Sequence, residues 1–245
     1  MDIGKIVVIA GLVFSTLTVL LYLAALRGSR KMLWIARAAF GASAVLGVAT
    51  FGRLMYLVTQ KQFQYDYVYR YTSPDLDYPF LAAATWAGQE GSFLLWMVAT
   101  CLIGALVAWK AGDWEARVMP IFVSSLVFLF GILIWLSPFN LTVKPADYPP
   151  DLPWPPNFGM GLNPSLQNYW MAIHPPTIFF GFVALAVPFA YAIAALIWKD
   201  YESWAKRVMP WALLAVLTLG VGLFMGGYWA YETQGWHGFW AWDPV

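Results

Sequence analysis

Six apolar runs, at about residues 3–26, 33–58, 91–109, 118–137, 176–198 and 208–231, each supply the roughly 20 residues that cross the hydrocarbon of a bilayer. No water completes backbone hydrogen bonds there, so a crossing segment must satisfy its own amides or join a closed barrel. The runs lack the alternation of a barrel strand. They predict an all-α fold, a polytopic membrane helical bundle of about six transmembrane helices, built as one integral membrane domain over residues 1–245. Composition agrees: the chain is 61% hydrophobic and 11% charged, whereas a water-facing surface carries about 25–35% charged residues. A formal net charge of +1 with scattered Lys and Arg forms no basic patch. No nucleic acid is expected as a partner, and membrane lipid is.

Two runs open with Val-Met-Pro, which places Pro120 and Pro210 in a first turn where a missing N–H costs nothing. Pro188 lies deeper and is expected to bend its helix. Taking alternate loops, Arg27, Arg30, Lys31, Arg37, Lys110, Arg117, Lys199, Lys206 and Arg207 share one side, and Lys5, Arg53, Lys61, Arg70 and Lys144 the other. The nine-to-five bias puts the first set in the cytoplasm and the amino terminus outside. A Tyr- and Asp-rich stretch at 60–79, a Pro-rich loop at 138–169 and the segment 232–245 are then extracytoplasmic. The run Ile3–Leu26 is too long for a cleavable secretion signal and lacks an Ala-x-Ala exit. The single cysteine, Cys101, lies inside an apolar run and allows neither an internal disulfide nor a Cys-based metal site.

Tyr65, Tyr67, Tyr69 and Tyr71 alternate like a short strand, but an interfacial aromatic fringe is the expected reading. Pro145, Pro149, Pro150, Pro153, Pro155 and Pro156 predict an extended, semi-rigid loop, either a docking surface or a passive connector. Trp114 to Pro120 and Trp204 to Pro210 share five of seven positions, as a duplicated hairpin or as two similar helix-start anchors.

Three places carry candidate chemistry. His174, in Ile173-His174-Pro175-Pro176, precedes a proline and is driven out of the helical region, to the entrance of the fifth span. There the exposed amides disfavour an added proton and leave a lone pair for a metal. A helix cap or a bond to a loop carbonyl is the plainer alternative. Glu90 enters the third span, where a carboxylate must be paired, protonated or near water, with Arg53 as its expected partner. Its role is either structural or one in ligand access or proton movement. The tract Trp236-His237-Gly238-Phe239-Trp240-Ala241-Trp242-Asp243 makes a flat aromatic shelf beside one anion, which suits a large planar ligand. Tyr228, Trp229 and Tyr231 read as an ordinary interfacial belt.

Trp-x-Gly-x-Trp-x-Trp-Asp resembles the signature of haem-handling membrane proteins of cytochrome c biogenesis, and the following Pro244-Val245 favours the CcmF family of haem lyase subunits. The stretch Trp86 to Trp96, Trp-x-x-x-Glu-Gly-Ser-x-x-x-Trp, and the Ile-His-Pro-Pro motif are similar to the same family, so the resemblance covers most of the chain. It implies cytochrome c maturation, with haem b bound at the extracytoplasmic face and helped onto apocytochrome c. It implies His174 as an iron ligand, with Trp236, Trp240, Trp242 and Asp243 as the haem platform. Trp86 and Glu90 belong to the second motif.

The implied partners are the haem chaperone CcmE, a CcmH-type thiol subunit and apocytochrome c. The implied location is the bacterial inner membrane, multi-pass, with the site facing the periplasm. His237 stands where the family pattern usually has glycine, and Phe239 where it often has tryptophan; His237 is an extra ligand, a propionate contact or neutral. Family members continue into further spans with more histidines. Thioether-forming haem lyase activity is therefore expected only of the full-length protein or complex. The competing reading is a transporter or channel subunit, with Glu90 lining a path and the tryptophans as anchors.

Overall fold

Asp2 opens the first helix, its carboxylate accepting the Gly4 N–H at 2.7 Å. The computed structural model describes residues 2–144, 146, 150–151, 153–233, 235 and 238–240. Helix α1 (Ile3–Ala25) leads to α2 (Arg30–Thr59), which Ser29 caps through the Met32 N–H at 3.3 Å. Two short helices follow, α3 (Asp66–Tyr71) and α4 (Tyr78–Ala83). A 3₁₀ turn at Ala84–Trp86 leads to α5 (Gln89–Lys110), and a second at Gly112–Trp114 to α6 (Glu115–Trp135). Helices α7 (Trp170–Trp198) and α8 (Trp204–Thr233) complete the bundle. Among the described residues six helices are long and apolar enough to cross a membrane. Among the described residues there is no strand, only one antiparallel bridge between Tyr65 and Leu141.

Helix α1 packs on α2 and α6, α5 on α2, α6 and α7, and α7 on α8. The six helices alternate in direction along the chain. The starts of α1, α5 and α7 and the ends of α2, α6 and α8 therefore share one end, the amino-terminal face. Leu94, Met97, Leu126 and Phe130 fill the middle of the bundle, while Trp135 and Phe224 stay exposed at 87% and 71%. Lipid solvates such outward side chains as well as a neighbouring helix would, so close packing and internal polar bonds hold the helices together. One such set lies at the opposite face. Glu115, 1% exposed, accepts Arg37 Nε–H at 2.9 Å and Nη2–H at 2.6 Å, and the Tyr22 hydroxyl at 2.9 Å. It ties α6 to α2 and α1.

Several expectations need correcting. Helices α6 and α8 begin at Glu115 and Trp204, so Pro120 and Pro210 stand in a second turn and not a first. Hydropathy misses the polar opening turn of each. Residues 66–71 form helix α3 and not a strand, and Tyr65 and Tyr67, 8% and 1% exposed, turn inward rather than joining a fringe. The 60–79 stretch is bonded to the loop after α6: Asp66 N–H donates to Asn140 C=O at 2.9 Å, and Met160 N–H to Tyr69 C=O at 2.8 Å. These segments cover the amino-terminal face together. Pro145 and Pro149 of the Pro-rich loop lie outside the described residues. Pro188 lies inside α7, as expected.

Candidate functional site

Pro175 has no N–H, so within α7 it cannot bond the carbonyl of Met171 four residues earlier. A buried carbonyl needs a donor. Trp86 supplies it, its Nε1–H reaching Met171 C=O at 2.9 Å. With that gap closed, α7 starts at Trp170, and His174 stands in its second turn rather than at its entrance, where the residue-before-proline rule had put it.

Trp86 is seated by a turn wrapped around Tyr67. The Tyr67 hydroxyl donates to the Ala84 and Thr85 carbonyls at 3.0 Å each and accepts the Gly88 N–H at 3.1 Å. At Gly91 a Cβ would stand 1.9 Å from the Thr85 carbonyl oxygen, so only glycine fits. Burial pushes the Tyr67 phenol above its ordinary range. Ser92 Oγ–H closes the turn on Trp86 C=O at 3.0 Å. Glu90, 12% exposed, is held by Arg70 at 2.9 Å, and Arg70 also reaches Asp66 at 2.9 Å. Arg53, the expected partner, instead lies 3.7 Å from Asp2 and donates to the Tyr65 hydroxyl at 3.4 Å. The cap of α1 holds Arg53, and α3 brings Arg70 within reach of Glu90. The ion pair ties Glu90, in the first turn of α5, to Arg70 of α3.

Across from His174 lies α8. His174 Nδ1 is 2.8 Å from the Gly222 carbonyl. A carbonyl only accepts, so Nδ1 carries a proton, and in the neutral ring the lone pair is then on Nε2. A Cβ at Gly226 would stand 2.8 Å from His174 Cε1, so this residue must be glycine for the imidazole to lie against α8. The Trp229 ring lies 5.9 Å away, tilted 58°, and its Nε1–H donates to Ser165 C=O at 3.2 Å.

Further out, Glu232 Oε2 accepts Asn168 Nδ2–H at 3.0 Å and Trp170 Nε1–H at 3.1 Å, fastening the start of α7 to the end of α8. Trp170 packs on Tyr228 at 5.4 Å, and Phe239 stacks on Tyr231 at 4.6 Å and 9°. A Cβ at Gly227 would meet the Phe239 carbonyl at 3.1 Å, so adjacent positions of α8 face the imidazole and the start of the tryptophan tract.

The structure thus brings together His174, Trp86 through Met171, and Phe239 with the exposed Trp240 at one end of the bundle. Trp236, His237, Trp242 and Asp243 lie outside the described residues. Tyr228, Trp229, Tyr231 and Glu232 stand at the same end, in contact with Trp170, His174 and Phe239. Their signal was available in part, since Gly222, Gly226 and Trp229 recur at helical spacing on one face.

No group of three or more His, Cys, Asp or Glu side chains among the described residues could hold a bare metal ion. One oriented imidazole nitrogen among aromatic faces instead fits an iron whose other donors come from a planar macrocycle, so the residues present fit haem.

The family model for cytochrome C assembly protein matches residues 86–245. Cytochrome c-type biogenesis protein CcmF of Haemophilus influenzae is 34% identical over 226 residues, covering 89% of this chain and 33% of that protein. CcmF of Pseudomonas aeruginosa is 35% identical with the same coverage. A solved cytochrome c heme lyase CcmF superposes with a TM-score of 0.82 at 31% identity, over 98% of this chain and 38% of that one. The chain spans about a third of the length of these relatives. The matched region holds Trp86, Glu90 and His174 together with the whole of α7 and α8, and the chain accordingly belongs to the cytochrome c assembly protein family.

Proposed function

We propose that this chain binds haem at its amino-terminal face, on the extracytoplasmic side of a bacterial inner membrane, and holds it for attachment to apocytochrome c as part of a longer haem lyase. One observation carries the proposal: the Gly222 carbonyl accepts the Nδ1–H of His174 and leaves the lone pair of the neutral ring on Nε2, beside Trp229. Haem b, when bound, would supply iron and vinyl groups that accept the client's thiols. His174 Nε2 would hold the iron, and the Gly222 carbonyl fixes the imidazole through its Nδ1–H. Trp229, Tyr231, Phe239 and Trp240 give aromatic faces at the same end, and the haem platform of the proposal also takes in Trp236, Trp242 and Asp243, which lie outside the described residues.

The nucleophiles come from apocytochrome c, because Cys101, the chain's single cysteine, is buried inside α5 at 2% exposure. A haem chaperone of the CcmE kind and a CcmH-type thiol subunit are the partners that deliver the two reactants. The nine-to-five distribution of cations supports the orientation.

Haem titration of the purified protein in detergent tests this reading. His174→Ala shifts the Soret band and weakens binding by about tenfold or more, about 1.4 kcal/mol per factor of ten, and added imidazole restores the band. Trp240→Ala weakens binding less. Identical titrations for the native chain and His174→Ala would overturn the proposal.

A further inference from the structure

We infer that the face opposite the candidate haem site binds one anionic phospholipid, in a cleft of about 610 Å³ between α5 and α8. Helix α7 packs against both α5 and α8, and its Tyr191 lines the cleft between them. Leu106, Trp211 and Leu214 make apolar walls. At one end stand Lys110, the last residue of α5, and Lys206 and Arg207 in the first turn of α8. A cleft that is apolar along its length and cationic at its rim matches a ligand with a hydrocarbon tail and an anionic head. A free phosphate would use only the rim. Basic pockets between transmembrane helices recognise lipid head groups in this way.

The charge at the rim is not consumed within the protein. Arg207 pairs with Asp113 at 3.0 Å, which leaves the exposed Lys110 and Lys206 as the net positive groups. Another acid, Glu202, lines an adjoining depression with Lys206 and Arg207. Lys110 Nζ lies 5.0 Å from the centre of the Trp109 ring, which holds it at the interface.

The base of the cleft is rigid. Tyr191 stacks on Trp114 at 5.6 Å, and the guanidinium groups of Arg117 and Arg207 each lie 5.6 Å from the same indole. The repeated Trp-x-x-Arg-Val-Met-Pro motif thus sets the arginines of both copies on one tryptophan. Its wholly buried N–H finds no acceptor among the described residues, a polar donor kept in a setting where it is costly.

Native mass spectrometry of the whole protein in detergent, with phosphatidylglycerol or phosphatidylcholine added, tests the assignment. One phosphatidylglycerol is retained about tenfold more tightly than phosphatidylcholine, and Lys110→Gln with Lys206→Gln removes the preference. Both lysines are exposed, and an unchanged unfolding temperature shows that the double variant is folded. Arg27→Gln with Lys31→Gln, two cations elsewhere on the same face, leaves the preference intact. Equal binding of the two lipids overturns the proposal, as does a preference that survives in the Lys110, Lys206 variant. Equal loss in the Arg27, Lys31 variant would show diffuse surface charge, and displacement by millimolar inorganic phosphate a free-anion site; either also overturns it.

Discussion

Glu115 and His174 are both polar groups set among apolar helices, one near each face, and they differ in how fully their bonds are used. Glu115 is 1% exposed and takes three donors from two other helices. The carboxylate's charge is met by Arg37 and both of its oxygens are taken, so the buried end of the set has no group left for a ligand. His174 is partly buried and spends one nitrogen on a helix carbonyl, which leaves Nε2 of the neutral ring as an acceptor. A closed polar set holds helices together; a half-used one is where a ligand belongs.

Removing each group separates the two roles. Glu115→Ala leaves Arg37 and the Tyr22 hydroxyl without their anion and costs about 3 kcal/mol, the lower end for a broken buried pair because Arg37 is 38% exposed. Its unfolding midpoint in detergent falls steeply, while haem affinity of the folded fraction stays native. His174→Ala loses one neutral hydrogen bond, about 1 kcal/mol, and loses haem. Equal destabilisation by the two variants would break the contrast.

The turn around Tyr67 sharpens it with a pH dependence. Burial raises the folded pKa of this phenol above the unfolded value of about 10. Below that pH both states are protonated and the full contribution is present. As pH rises past it the unfolded chain loses its proton first, and stability declines. Tyr67→Phe costs about 1–2 kcal/mol at neutral pH, because the Gly88 N–H loses its acceptor, and it flattens the alkaline decline. Unfolding midpoints from pH 7 to 11 decide this; parallel curves for the two proteins would remove Tyr67 from the account.

The sequence made the spans legible because 20 apolar residues in a row have few other fates. Their ends were less legible. Hydropathy placed the fifth span at 176–198, whereas α7 begins at Trp170, because the donor that lets the helix continue past Pro175 sits 85 residues away in Trp86. The Arg37–Glu115 pair is invisible for the same reason, its members being 78 residues apart. Site residues fared differently according to chemistry. His174 and Trp86 stood out as residue types in marked motifs, whereas Trp229 and Glu232 looked like any interfacial aromatic and any terminal acid until α7 was laid against α8.

The smallest predicted effect is the most specific, because it tests whether Trp86 compensates for a proline. Trp86→Phe keeps the ring and deletes the N–H, leaving the Met171 carbonyl without its donor at a cost of about 1–2 kcal/mol. Pro175→Ala returns a backbone amide four residues after Met171, so the same carbonyl is served from within α7. In that background Trp86→Phe costs only the packing of the indole edge. The cycle should therefore show a coupling of about 1 kcal/mol between two residues distant in sequence. Additive costs, agreeing within about 0.5 kcal/mol, would mean that the indole merely rests near α7. Met171 lies less than one turn from His174, so in that case the presentation of the imidazole would rest on α8 alone, through Gly222 and Gly226.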